Sequence, residues 1–377
     1  MKVVILGYIG KRITGIGRVL IATLNKLAPL DRNITYILYT NYDNSELVNY
    51  PFPDNVIVKT YPVTRMSSIK NLLFNCFIFP FFLFREHPDV VYVPNFVFIP
   101  ITFAPVIAVI HDMIEFKLPE KFSKIRMFYR HIIVPLIAKK AKHILTVSEN
   151  SAKDIVNICN ISREKITVVY NAVSDEFKPV VNGKSPLPDN PYMLYVGTVD
   201  YPGKNVHNAI RAFEKYKACS CSPLKFVIAG MPGKGFEAVE RMMRESDYSD
   251  DIVYFGYVDM DMLNKLYTFA RIFIFISYYE GFGLPILEAM KFGVPVITSN
   301  CSCLPEIAGD SAIICSPDNI DEIALAIKKL DRDEQFRETL IKKGRDNLNR
   351  FSWDATARKT LEIIKKVVGE TQKWKHR

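Results

Sequence analysis

Runs of β-branched and aromatic residues, each of strand length, alternate with helix-period segments along this chain, and that alternation restricts the fold more than any other feature. The first series covers residues 2–8, 34–40, 56–61, 89–93, 105–110, 143–147 and 166–170, with helical patterns at 69–84, 122–141 and 149–158. Strands separated by helices cannot pair as hairpins. The sheet is therefore predicted to be mainly parallel, covered on both faces, with ligands at the carboxyl ends of its strands. A second series follows at 192–196, 224–229, 252–255, 272–276, 294–298 and 311–315, and helices at 320–330, 333–349 and 353–368 finish the chain. A chain of 377 residues exceeds what one core usually supports. The polar stretch 174–191, with its Pro and Gly, separates the two series. The prediction is an α/β protein of two doubly wound, Rossmann-like domains at 1–173 and 192–350, joined by a linker at 174–191 and followed by a helical segment at 351–377.

The stretch from Ile272 to Ser299, IFIFISYYEGFGLPILEAMKFGVPVITS, gathers the most chemistry. Its first five residues read as a strand buried on both faces, and a helix follows from Leu284 to Phe292, with Pro285 at its first position and Gly293 ending it. Gly281 and Gly283 can take positive φ, which lets a ligand approach the main chain of Gly281, Phe282, Gly283 and Leu284. The free N–H groups of the first helical turn then favour a phosphate. Glu280 stands before that turn and Glu288 one turn inside it, so both carboxylates can face one pocket. Carboxylates beside a phosphate would repel it, so their natural partners are hydroxyl groups, and the combination suggests a nucleotide-sugar pocket.

Composition bounds the alternatives. With 49% hydrophobic and 24% charged residues the chain is globular rather than disordered. MKVVILGYIG reads as a first strand and not as a signal peptide, which predicts a cytosolic protein. The apolar stretch from Leu72 to Phe84 is too short to span a bilayer, and two readings stay open for it: a buried helix, or a shallow membrane-inserting element. The seven cysteines, among them the close pairs Cys219/Cys221 and Cys301/Cys303, lack zinc spacing and are expected to be reduced bystanders. A net charge of +9 calls for an anionic partner. Lys117, Lys121, Lys124, Arg126 and Arg130 interleave with Phe122, Ile125, Phe128 and Ile132, ahead of Lys139, Lys140 and Lys142, which fits either an anionic membrane surface or a solvated helix face. No nucleic-acid-binding module is recognisable, so nucleic acid is not expected as a partner.

Further motifs sit where loops should follow strands. A Gly-rich loop leads into a helix near Gly15, where Gly15, Ile16 and Gly17 can present N–H groups to a diphosphate. The dinucleotide fingerprint fails there, because Leu20 stands where its last glycine should be. His111 follows the strand PVIAVI directly; a neutral imidazole there can donate to a sugar hydroxyl, with Asp112 fixing its tautomer. Lys204, in GTVDYPGKN, is a cation placed to face the phosphate site. Asp259 and Asp261 superficially match the Asp-x-Asp of metal-dependent transferases, but Asp259 precedes a helical run and fits an N-cap, so no metal site is expected.

Taken together, GIGR, VIHD, TVSENS, YVGT, GK, EGFGLPILEAM and FSW resemble, in order and over essentially the whole chain, the family-4 retaining glycosyltransferases of the GT-B fold. Glu280 and Glu288 match that family's Glu-x7-Glu signature, and the likeness is greatest to bacterial O-antigen and surface-polysaccharide mannosyltransferases. The resemblance implies that Lys204, Gly283 and Leu284 hold the donor diphosphate, Glu288 the ribose, and Glu280 and His111 the transferred sugar. It implies that the loops around Gly230 and around Tyr257 and Val258 line the base pocket through main-chain groups, and that the last helix packs back on the first domain. The family often carries arginine near Thr198 and again beside the lysine; here Thr198 and Gly203 stand there, so a second cation on the diphosphate would have to come from elsewhere, such as Lys11 or Arg12. The expected reaction is metal-independent transfer of a hexose, with same-face attack by the acceptor within an ion pair. GDP-mannose is the expected donor, with UDP- or dTDP-sugars as alternatives, and a glycan or lipid-linked molecule is the acceptor. A nucleotide-sugar epimerase on the same fold and an inactive nucleotide-binding membrane scaffold remain the competing readings.

Overall fold

The computed structural model describes residues 1–7, 15–41, 44–61, 73–181, 183–188 and 190–375. They divide into two compact units: residues 1–116, 123–171 and 352–377 form the first, and residues 117–122 and 172–351 the second.

The first unit holds seven strands among the described residues: β1 Lys2–Leu6, β2 Thr35–Asn41, β3 Val56–Tyr61, β4 Val90–Val93, β5 Val106–Val109, β6 His143–Thr146 and β7 Ile166–Val168. All pair in parallel, in the order β3-β2-β1-β4-β5-β6-β7. Nearly continuous Val, Ile and Leu runs explain why, since both faces of such a sheet are covered. One face, with Val3, Ile5, Tyr92, Ile107 and Val109, packs with the helix Gly15–Leu27 and the C-terminal helix Trp353–Lys375, through Leu20, Leu24, Ile364 and Val367. The opposite face carries Phe79–Glu86 and Lys124–Lys140.

The helix expected at 69–84 differs in detail. Residues 69–72 lie outside the described residues; the rest is a π-helical turn, Phe74–Ile78, followed by a helix that begins at Phe79. Pro80 is the physical reason: it has no N–H for the carbonyl one turn back, and the Phe79 N–H reaches Phe74 O instead.

Among the described residues the second unit holds a six-stranded parallel sheet in the order β10-β9-β8-β11-β12-β13. Its strands are β8 Tyr192–Val196, β9 Lys225–Ala229, β10 Ile252–Gly256, β11 Ile272–Phe275, β12 Val296–Ser299 and β13 Ala312–Cys315. Strand order reverses between β8 and β11, which are neighbours. In a doubly wound sheet the crevice beyond the carboxyl ends of two such strands is where ligands bind. The loops leaving β8 and β11 are GTVDYPGKN and SYYEGFG, the two loops that the sequence marks for the donor.

Candidate functional site

The site in the second unit grows from those two loops. Gly283 takes φ +89° and caps the helix Leu284–Lys291, in which Pro285 is the second residue rather than the expected first. A side chain at Gly283 would strain the backbone and put a Cβ 2.8 Å from Leu304 Cδ2. Gly281 does not share this conformation; among the described residues of the loop only Gly283 lies at positive φ. Hydrogen bonds from outside the loop hold its course instead. Ser302 Oγ donates to Glu280 O at 2.7 Å and accepts from Glu280 N at 3.3 Å, while the Cys303 thiol donates to the same carbonyl at 3.2 Å. Burial and the nearby Glu280 push the Cys303 thiol well above its ordinary range, which keeps it protonated as a donor. All seven cysteines are free thiols, but Cys303 is a support of the Glu280 loop and not a bystander.

Lys204 and Glu280 meet. Lys204 Nζ lies 2.5 Å from Glu280 Oε1, with the two side chains 19% and 14% exposed, and the ammonium stands 5.7 Å from the Phe275 ring centroid. The lysine loop is fixed by Asp200, which accepts from the Lys204 N–H at 3.0 Å and pairs with Lys121 Nζ at 2.5 Å. Lys121 comes from the segment 117–122, which belongs to this unit, and its Nζ would stand 3.3 Å from a Cβ built on Gly203. A cation thus occupies the neighbourhood of Gly203, although Lys11 and Arg12 lie outside the described residues.

Glu288 is oriented by Tyr267, whose hydroxyl donates to Oε2 at 2.8 Å. Burial, with Glu288 beside it, raises the Tyr267 phenol well above its ordinary value, so it remains a donor. At Gly230 the backbone takes φ +155° and a Cβ would lie 1.8 Å from Gly197 O, which demands glycine. Gly230 N–H donates to Gly256 O at 2.7 Å. Thr198 and Tyr257 are exposed and Val258 is half-buried. Asp259 caps the helix Met260–Phe269 by accepting from Met262 N at 2.8 Å, as an N-cap should.

His111 belongs to the first unit, just beyond β5. Its Nε2 lies 3.0 Å from Pro94 O, and a carbonyl can only accept, so Nε2 carries the proton and Nδ1 is the acceptor. Pro94 therefore sets the tautomer, and not Asp112, whose Oδ1 instead accepts from Ile114 N at 3.0 Å. Burial lowers the His111 pKa, against a smaller opposing effect from the Pro94 carbonyl, and the ring is neutral at physiological pH. Ser151 Oγ donates to His111 O at 3.1 Å and Thr146 Oγ1 to Ile110 O at 2.7 Å, so TVSENS clamps the main chain that carries the histidine. Gly15, Ile16 and Gly17 open the helix Gly15–Leu27, with Gly15 exposed and Gly17 buried.

Comparison with known proteins bears on the family and the fold. Residues 13–177 match the Glycosyltransferase Family 4 description and residues 179–347 match Glycosyl transferases group 1. The chain is 32% identical to the O-antigen chain mannosyltransferase B of Escherichia coli over 289 residues, covering 74% of this chain and 75% of that one. It is 28% identical to the O-antigen chain mannosyltransferase RfbU of Salmonella typhimurium, covering 69% and 67%. Among solved structures, the sucrose-phosphate synthase of Thermosynechococcus elongatus superposes with a TM-score of 0.79 at 17% identity, over 98% of this chain and 100% of that one.

Proposed function

The chain belongs to glycosyltransferase family 4, and on that footing we propose that it moves mannose from GDP-mannose onto a glycan or lipid-linked acceptor in the assembly of a cell-surface polysaccharide. It is a glycosyltransferase with the GT-B fold. The proposed transfer retains the anomeric configuration, needs no metal ion and takes place in the cytoplasm. The names of the two mannosyltransferase relatives support the choice of sugar.

The observation that carries the donor site is the Lys204–Glu280 pair at the strand-order reversal between β8 and β11. Lys204 and Glu280 are paired with each other. When the donor binds, its diphosphate takes the Lys204 ammonium and the N–H groups at Gly283 and Leu284, and hydroxyls of the sugar donate to Glu280. As the glycosidic bond breaks, negative charge grows on the diphosphate and Lys204 stabilises it, an interaction stronger in the transition state than before it. Glu288, held by Tyr267, accepts from the ribose. His111 can accept a hydrogen bond from a sugar hydroxyl at Nδ1, and the main chain of Gly15, Ile16 and Gly17 is the first unit's candidate for the phosphates. Thr198, Gly230, Gly281, Phe282, Tyr257 and Val258 shape the rest of the donor pocket.

A thermal-shift screen against GDP-, UDP- and dTDP-sugars, each with and without EDTA, tests the donor. A ligand at a hundredfold excess over its Kd stabilises by about 2.7 kcal/mol, enough to move a melting temperature by a few degrees. The expected result is a shift with GDP-mannose that EDTA leaves unchanged. A shift with another base alone, or one abolished by EDTA, would overturn the donor or the metal-free reading.

A further inference from the structure

One face of the first unit combines exposed aromatic residues with a surplus of basic ones. Two helices build it. In the turn and helix from Phe74 to Glu86, Phe77, Phe81 and Phe84 recur at helical spacing and are 74%, 68% and 58% exposed, with Leu73 one turn earlier at 51%. In Lys124–Lys140 the outward stripe is Ile125, Phe128, Ile132 and Leu136, 82%, 71%, 46% and 41% exposed, while Ile133, Val134, Ile137 and Ala138 face the sheet. A solvated helix has the reverse pattern, polar residues outward.

The two stripes lie on one layer. Val91 and Val93 of β4 pack with Phe79 and Leu83, and Ala108, the β5 partner of Val93, packs with Ile133 and Val134. Partners in a parallel ladder point to the same side, so both helices cover the same sheet face. The Phe84 ring lies 6.2 Å from that of Phe103, which is 78% exposed on the loop leading to β5. Scattered exposed apolar residues are ordinary; a face that gathers eight or more is not.

Charge selects the occupant. Residues 73–85, 95–103 and 124–142 contain no Asp or Glu. Arg126 and Arg130 are already engaged by the buried Glu115, at 2.9 and 3.4 Å, which removes them from the pattern read in the sequence. Lys121 is likewise held by Asp200. Lys124, Lys139 and Lys140 are exposed, and Lys140 and Lys165 border a shallow hollow of about 510 Å³ beside Phe103. Lys142 borders it too, with Glu370 at 3.4 Å. Among the described residues no helix is long and apolar enough to cross a membrane.

We propose that this face seats the protein on an anionic lipid bilayer: Phe77, Phe81, Phe103, Ile125 and Phe128 enter the headgroup boundary, and Lys124, Lys139 and Lys140 meet the lipid phosphates. Aromatic and aliphatic side chains ringed by lysine suit that boundary, where apolar burial and attraction to anionic lipid add. An apolar protein partner would not need the surplus of cations. The inference stands on the first unit alone and is independent of the donor reading.

Vesicle flotation tests it, with phosphatidylcholine vesicles with and without phosphatidylglycerol. The intact chain floats with the anionic vesicles and much less with the neutral ones. Phe81→Ser, Phe103→Ser and Phe128→Ser, all at exposed positions and checked for unchanged circular dichroism, each lower the partition coefficient about tenfold. Lys139→Glu with Lys140→Glu lowers it about fivefold per charge at low salt and less at high salt. Absence of the intact chain from anionic vesicles overturns the proposal, as does full binding by the triple serine variant. A concentration-dependent dimer that Phe128→Ser dissociates would overturn it in favour of a second copy of the chain. Binding of GDP by the same preparation reports on the donor site separately.

Discussion

Replacing Lys121 with alanine leaves the Asp200 carboxylate, whose side chain is 5% exposed, without the ammonium that stands 2.5 Å away. Removing one partner of a buried pair costs about 3–5 kcal/mol, because the remaining charge is left uncompensated. Lys121 is 18% exposed and Asp200 keeps the Lys204 N–H at 3.0 Å, so the lower end, about 3 kcal/mol, applies here. For a unit of this size that corresponds to a fall in melting temperature of about 6–12 °C. Scanning calorimetry on Lys121→Ala, Asp200→Asn and the double variant measures it. The double variant should be more stable than Lys121→Ala by at least about 1 kcal/mol, since no unpaired charge remains. Lys121→Ala should also lower kcat by loosening the loop of Lys204. A cost below about 0.5 kcal/mol, or strictly additive variants, would refute the pairing as the support of that loop.

Two further outcomes follow from the same geometry. Tyr267→Phe removes the donor that holds Glu288 Oε2, and a lost charge-assisted hydrogen bond of about 1.5–3 kcal/mol should weaken donor binding tenfold or more with little change in kcat; an unchanged KM for the donor would contradict the role of Glu288. His207 is lowered from 6.5 to about 4, first by burial and then by Arg211, and its Nδ1 has no hydrogen-bond partner among the described residues. The unfolded chain therefore binds the proton first, so this contribution is complete above about pH 6.5 and is lost as pH falls toward 4. His207→Phe should flatten the pH dependence of urea midpoints over that window, and an unchanged slope would refute the assignment.

The strands were legible because buried parallel strands are written as short apolar runs, and every expected run corresponds to a strand within a few residues. Glu280, Lys204 and the glycine cap at Gly283 were legible for a related reason: each stands in a loop directly after such a run. What the sequence hid are contacts between distant segments. Lys204 and Glu280 are 76 residues apart, and nothing local announces that they touch. Ser302, Cys303 and Tyr267 hold the two glutamates from 21 to 23 residues away, and Pro94 sets the His111 tautomer from 17. Asp112 was the nearer candidate, but its carboxylate was taken by the turn at Ile114. Lys121 read as one member of a basic stripe; its pairing with Asp200 shows only once the chain has folded.

The central claim is that Lys204 binds the donor diphosphate beside Glu280, and calorimetric titration of GDP and of guanosine into the intact protein and Lys204→Met tests it most directly. A charge-assisted contact of about 1.5–3 kcal/mol predicts that GDP binding weakens roughly ten- to hundredfold in the variant while guanosine binding is unchanged. Equal GDP affinity for the two proteins would contradict the assignment.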